Sequence, residues 1–129
     1  MRQSDPRIGF VGVGRMGANM ARRLRDRGEA IVALYDQAHD VATGLATELG
    51  CETAVSPARV AELANIVFTV VTDDAAMRQI FSAVGSESLL RYAKDRLFVN
   101  CATLSPTVHV EVETLVTQRG GRSLEACMA

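Results

Sequence analysis

The run Ile8-Gly9-Phe10-Val11-Gly12-Val13-Gly14-Arg15-Met16-Gly17 constrains this chain more than any other stretch. An apolar segment that reads as a buried strand ends in Gly-x-Gly-x-x-Gly, and a helical pattern follows at once. Gly12 permits a tight turn, Gly14 lets backbone approach a pyrophosphate, and Gly17 lets the following helix pack closely on the strand. The first amides of that helix have no partner within it, and the helix dipole favours an anion beside them. Asp36 stands nineteen residues beyond Gly17, where a dinucleotide-binding fingerprint places the carboxylate that meets a ribose.

The rest of the chain repeats the alternation. Strands are predicted at 7–12, 30–35, 51–53, 66–71, 97–101 and 123–127. Helices are predicted at 15–27, 39–49, 56–64, 72–83 and 105–119, with a looser segment over 85–95. Two helix starts carry a cap followed by proline, Ser56-Pro57 and Ser105-Pro106. The run Ala30-Ile-Val-Ala-Leu-Tyr35 lacks alternation, as a parallel strand covered on both faces would. Strands alternating with helices imply an α/β domain, a Rossmann-type doubly wound parallel sheet. Right-handed crossovers and a switch point after the first strand give strand order 3-2-1-4-5-6. Ligand then meets the residues just past the strands: Gly12 to Gly17, Asp36, Val71 to Asp73, Ala102-Thr103, and Ala126 onward.

A chain of 129 residues suits one such domain, residues 1–129. The net charge of −1 gives no general drive toward nucleic acid or a membrane surface. The polar N-terminus and the short, glycine-broken apolar run after it suit neither a signal peptide nor a membrane span. Cys51, Cys101 and Cys127 are widely spaced and form no Cys-x-x-Cys, so buried, reduced thiols in a cytoplasmic protein are expected, without bound metal.

Arg15 and Met16 lie between the second and third glycines, so their amides are expected to line the phosphate site. A carboxylate at Asp36 would accept from an adenosine ribose and repel a 2′-phosphate. Gln37, Ala38 and His39 follow it, with no arginine to receive that phosphate. NAD is therefore the expected cofactor, ahead of NADP, and Asp36→Ala should narrow the difference. Arg22, Arg23, Arg25 and Arg27 crowd one helix, but Asp26 and Glu29 interrupt them and no aromatic residues are interleaved; a solvated face is expected. His39 and His109 have no partner visible in the sequence. Asp73-Asp74 reads as helix-start acids rather than a metal site.

These residues bear a family resemblance. Gly9 to Gly17 with Asn19-Met20-Ala21 resembles the opening of the β-hydroxyacid dehydrogenases, a family that includes 3-hydroxyisobutyrate and tartronate semialdehyde dehydrogenases. The wording Gly-Arg-Met-Gly-Ala-Asn-Met is especially similar to 6-phosphogluconate dehydrogenases. Thr69 to Asp74 resembles the family's Met-Leu-Pro-Asp-Asp, Ala102 to Pro106 its Ser-Thr-x-Ser-Pro, and Gly120 to Ala126 the lead-in to its Asp-Ala-Pro-Val-Ser-Gly-Gly loop. The resemblance implies that Gly12, Gly14, Arg15, Met16, Gly17 and Asp36 hold the adenosine and pyrophosphate. It also implies that Val71 and Thr72 lie against the cofactor and that Thr103 contacts the nicotinamide end. Departures are Thr72 for Pro, Ala102 for Ser, Cys127-Met128-Ala129 for Pro-Val-Ser, and one extra residue between Gly28 and Asp36.

The family carries its catalytic lysine in a helical second domain, which this chain does not contain, and Lys94, the one lysine, does not match it. The resemblance thus implies the cofactor domain of an oxidoreductase that transfers hydride between a nicotinamide cofactor and a small hydroxyacid. No catalytic residue is expected within residues 1–129, and the chain alone should be inert. A homo-oligomer is expected, through apolar surface that the second domain would cover. The rival expectations are a non-catalytic nucleotide-binding or assembly module, and the cofactor domain of an imine-reductase-like relative.

Overall fold

A computed structural model of the chain describes residues 5–126. Six strands, β1 (Ile8–Val11), β2 (Ile31–Tyr35), β3 (Glu52–Thr53), β4 (Ile66–Thr69), β5 (Leu97–Asn100) and β6 (Arg122–Glu125), alternate with α1 (Arg15–Asp26), α2 (His39–Leu49), α3 (Pro57–Leu63), α4 (Asp74–Ile80) and α5 (Pro106–Gln118). The strands form one sheet in the order β3-β2-β1-β4-β5-β6, and every neighbouring pair is parallel. This is the doubly wound α/β topology that the alternation predicts.

Side chains of successive strand residues point to opposite faces, so two apolar clusters form. Ile8, Phe10 and Leu34 belong to one, with Ala21 of α1 and Ala42, Leu45 and Ala46 of α2. Val11, Ala33, Val67 and Phe98 belong to the other, with Val60 of α3, Met77 of α4 and Val108, Val112 and Val116 of α5. Phe10 stacks on Phe68 with ring centres 5.0 Å apart, and Phe81 meets Phe98 edge-on at 5.4 Å. Gly9 is the thin point of β1: a Cβ there would lie 2.4 Å from Val60 Cγ1, so its hydrogen lets α3 settle onto the sheet.

Several boundaries differ from expectation. β4 ends at Thr69 rather than Val71: the bond from Val70 N to the Val11 carbonyl, at 2.8 Å, is the last that joins it to β1, whose partner residues end at Val11. Helix α4 ends at Ile80 rather than 83, and the looser segment contains a 3-10 turn, Leu89–Tyr92. The last strand is Arg122–Glu125; the predicted extension to 127 and the departure at Cys127-Met128-Ala129 reach beyond the described residues.

The amino end of the sheet is closed by charge. Arg96 Nε donates to the carbonyls of Ala61 (2.8 Å) and Ala64 (3.2 Å), and Nη2 to that of Glu62 (3.1 Å). One guanidinium thereby meets the orphan carbonyls at the C-terminus of α3 and complements its dipole. Lys94 lies at this end too, leading into β5 with its carbonyl bonded by Arg96 Nη1 at 3.0 Å. At the opposite end, pairing aligns Tyr35, Val11, Thr69, Asn100 and Glu125 in one row. The loops beyond that row build the site.

Candidate functional site

The turn after β1 requires its glycines for different reasons. Gly12 has φ +97°, and a Cβ there would lie 2.3 Å from the Val70 carbonyl oxygen. At Gly17 a Cβ would lie 2.2 Å from the Gly12 carbonyl oxygen, so the first turn of α1 rests directly on the loop. Gly14 differs: its φ is −65°, and a Cβ there would meet nothing within 4 Å. The fold itself has no need of a glycine at this position. A ligand brought against the backbone there would need one.

Gly14 is the N-cap of α1 and provides no side-chain cap, nor does the first turn hold an acid. The other helices are furnished differently. Ser56 accepts from Arg59 N, Asp73 from Ala76 N and Ser105 from Val108 N, while α2 has Asp40 in its first turn. Among the described helices, α1 alone has neither device. Its leading amides and dipole are left for an anion from outside.

Beside this terminus a cleft of about 670 Å³ opens at the carboxyl end of the sheet. It brings together Gly12, Gly14, Asp36, Val71 and Thr72. Arg15 and Met16 are exposed in the first turn of α1 and Gly17 is buried beneath it; none of the three lines the cleft wall. Thr103 is exposed on the loop after β5, one strand further along, and also lies outside the wall. The sequence reading missed the far wall, made of Val55 and Ser56 before α3, Gln79 in α4, Ser82, and residues 84–88. The last stretch has no periodicity, but it is well held: Ser88 Oγ donates to the Ser82 carbonyl at 2.7 Å, and the Glu87 carbonyl accepts from Ala58 N at 3.0 Å.

Asp36 directly follows β2 and opens the loop to α2. Its Oδ2 accepts from Val13 N at 2.8 Å and its Oδ1 from Ala38 N at 2.9 Å. Each oxygen keeps a lone pair for a further donor. Asp74 makes a comparable link, accepting from Ser105 N at 3.2 Å and so joining α4 to the loop that carries Thr103. Asp73 and Asp74 are thus a cap and a loop tie, as helix-start acids can be.

The remaining candidates fall away from the cleft. Arg22 forms a paired contact with Glu48 of α2, at 2.7 and 3.0 Å, and Arg25 Nη1 donates to the Glu48 carbonyl at 3.2 Å. The hydrogen bond from Arg22 holds the Glu48 carboxyl below its usual range. Arg22 and Arg25 of the arginine cluster thus serve the α1–α2 contact. His109 finds the partner that the sequence did not show, with Nε2 3.6 Å from Glu125 Oε1. Burial pushes the thiols of Cys51 and Cys101 up from the usual value. The third cysteine, Cys127, lies outside the described residues.

A phosphate-bearing dinucleotide fits this donor set: open backbone at Gly14, an uncapped helix terminus, and a carboxylate at the adjoining strand end. The family described as the NAD binding domain of 6-phosphogluconate dehydrogenase matches residues 7–128. The chain is 30% identical over 124 residues to the zebrafish (Danio rerio) cytokine-like nuclear factor N-PAC, covering 95% of this chain and 26% of that protein. It is 32% identical over 120 residues to mouse (Mus musculus) mitochondrial 3-hydroxyisobutyrate dehydrogenase, covering 92% and 35%. Mycobacterium tuberculosis 3-hydroxyisobutyrate dehydrogenase, solved with L-serine, superposes with a TM-score of 0.83 at 26% identity, over 97% of this chain and 41% of that one. An imine reductase of Myxococcus stipitatus in complex with NAD+ shares the fold, with a TM-score of 0.81 at 22% identity over 94% and 40%. The chain therefore spans about a quarter to a third of the curated relatives' length.

Proposed function

This chain belongs to the family of NAD-binding domains of 6-phosphogluconate dehydrogenase, and from that premise we propose that it is the cofactor-binding unit of an NAD-dependent oxidoreductase acting on a small hydroxyacid. The observation that carries the reading is Gly14, a glycine with ordinary φ and open space around it at the uncapped start of α1. A nicotinamide dinucleotide supplies the hydride donor or acceptor when bound. Gly12, Gly14 and the leading amides of Arg15, Met16 and Gly17 hold the diphosphate. Asp36 accepts from the adenosine ribose and disfavours a 2′-phosphate. Val71 and Thr72 lie against the cofactor, and Thr103 stands toward the nicotinamide end. Isothermal titration of the protein with NAD and NADP tests this: NAD should bind at least tenfold tighter. A tenfold preference for NADP, or binding of neither, contradicts it.

The similarity to 3-hydroxyisobutyrate dehydrogenases supports a hydroxyacid substrate, and a turnover panel that includes cyclic imines, run on the whole enzyme of which this domain is the cofactor-binding unit, separates it from an imine-reductase-like activity. A second reading rests on the similarity to N-PAC, a protein named as a nuclear factor rather than a dehydrogenase. In that reading the domain binds nucleotide or supports assembly without catalysis. Full-length protein that binds NAD yet turns over no hydroxyacid or imine would favour it. We also propose self-association through exposed apolar residues such as Val110 and Leu124. Light scattering that finds only monomer at high concentration would contradict this.

A further inference from the structure

The contact between Asp36 and Val13 ties two loops that both belong to the cleft. Val13 sits between Gly12 and Gly14, and its side chain is 1% exposed within the α1–α2 cluster. Its amide donates to Asp36 Oδ2, while the preceding amide, Gly12 N, donates to the Tyr35 carbonyl at 2.8 Å. Two consecutive amides of the glycine loop are thus held by two consecutive residues at the end of β2. One of the two holders is a side chain, and a charged acceptor makes the stronger bond. Ala38 N occupies the other oxygen, fixing the carboxylate plane. Val13 is therefore set by its buried isopropyl group and, through the N–H of the Gly12–Val13 peptide, by a carboxylate, just before the chain reaches Gly14.

We propose that Asp36 is a positioning residue for the phosphate-binding glycine loop, acting through the Val13 amide, and that it is not solely a ribose acceptor. The proposal rests on the cofactor reading above. It has a consequence opposite in sign to simple electrostatics. A carboxylate near a phosphate site repels it, so removing the charge should tighten the binding of a bare diphosphate. If the carboxylate shapes the loop, removing it weakens that binding, because the amides that receive the anion lose their arrangement. Asp36→Ala is then a poor route to NADP use: it relieves repulsion of a 2′-phosphate and loosens the diphosphate seat together. Asp36→Asn, which keeps an oxygen acceptor and drops the charge, should gain more NADP affinity than Asp36→Ala.

The test uses wild type, Asp36→Ala, Asp36→Ser and Asp36→Asn, with inorganic pyrophosphate, NAD and NADP as probes. Serine can still serve Ala38 N through a local turn but offers no second oxygen for Val13, so it stands in if the alanine variant does not fold. Without ligand, amide hydrogen exchange at Val13 should quicken at least tenfold in Asp36→Ala and Asp36→Ser. Pyrophosphate affinity should fall at least fivefold in the same variants, and should recover in Asp36→Asn wherever Val13 protection recovers. Pyrophosphate binding that is unchanged or tighter in Asp36→Ala or Asp36→Ser, or unaltered exchange at Val13, overturns the proposal while leaving NAD binding by wild type intact. Wild-type protein that binds neither NAD nor pyrophosphate overturns the cofactor reading and this proposal with it.

Discussion

Gly17 lies so close over Gly12 that a Cβ on Gly17 would stand 2.2 Å from the Gly12 carbonyl oxygen. Helix α1 and the turn below it are therefore one packed unit, and the three glycines of the fingerprint divide into two that the fold needs and one that it does not.

That division predicts opposite phenotypes for the same substitution. Gly12→Ala combines a positive φ with a backbone clash, and Gly17→Ala meets backbone directly; each should cost roughly 2–4 kcal/mol of stability, combining overpacking and backbone strain. Gly14→Ala should leave stability within about 0.5 kcal/mol of wild type, as for an unconstrained surface position. It should still weaken NAD binding at least tenfold. Urea denaturation alongside NAD titration reads both quantities. A destabilised Gly14→Ala, or one that binds NAD normally, contradicts the assignment.

Arg96→Ala should uncouple stability from binding in the other direction. It removes three bonds to the carbonyls of Ala61, Glu62 and Ala64 at the far end of the sheet. Hydrogen bonds to charged groups are worth about 1.5–3 kcal/mol each when buried; this side chain is part-exposed, so a total loss of about 1–3 kcal/mol is expected. NAD affinity should be unchanged, measured well below the melting temperature. A tenfold loss of affinity would mean that the two ends of the sheet are linked.

Acid should destabilise the protein through its arginine-paired glutamates. Hydrogen bonds from Arg22, Arg59 and Arg78 hold the carboxyls of Glu48, Glu52 and Glu111 below the ordinary value of 4.5. A carboxyl lowered in the folded state contributes stability above its unfolded value, and that contribution is lost as pH falls through the lowered one. Thermal melts should thus drop as pH falls from about 4.5 downward, and Glu52→Gln should flatten that limb by removing one titrating partner. These pairs are exposed, so salt should shrink the effect. An acid limb that is identical in Glu52→Gln would contradict the assignment.

Much of the fold was legible because it depends on local pattern. The strand order follows from alternation and handedness. The caps at Ser56 and Ser105 read directly from Ser-Pro, and the structure shows both side chains accepting from the expected amides. The glycine spacing marked the turn after β1, and Gly12, Gly14, Asp36 and Val71 line one cleft at the strand ends, where a ligand was expected. The bond from Val13 to Asp36 was not legible, since it spans 23 residues and depends on how two loops meet. Nor was the link from Ser105 to Asp74, across 31 residues. The wall at Ser82 and 84–88 was missed for a different reason: its shape comes from the hydroxyl of Ser88 and from carbonyls, which leave no periodic signal. His109 pairs with Glu125 across the α5–β6 connection, a contact fixed only once β6 joins the sheet.

Residues 1–129 alone should bind NAD and turn over no substrate. Positioning of reactants supplies up to ~7–11 kcal/mol in favourable cases, and a group that moves the hydroxyl proton a further factor of about 10²–10⁴. Lys94 stands at the amino end of the sheet, and His109 pairs with Glu125 rather than lining the cleft. A panel of 3-hydroxyacids and 6-phosphogluconate with NAD and NADP should show no reduced cofactor. Turnover that is abolished by Thr103→Val would make this chain an enzyme by itself.

The claim that the carboxyl-end cleft is a dinucleotide site is tested most directly by titrating ¹⁵N-labelled protein with NAD and following each backbone amide. Saturable shifts are expected at Val13 to Gly17, Asp36 to Ala38 and Val70 to Thr72, with the Lys94–Arg96 end unmoved. Absence of shifts at millimolar NAD, or shifts centred on α5 and β6 instead of the glycine loop, would contradict it.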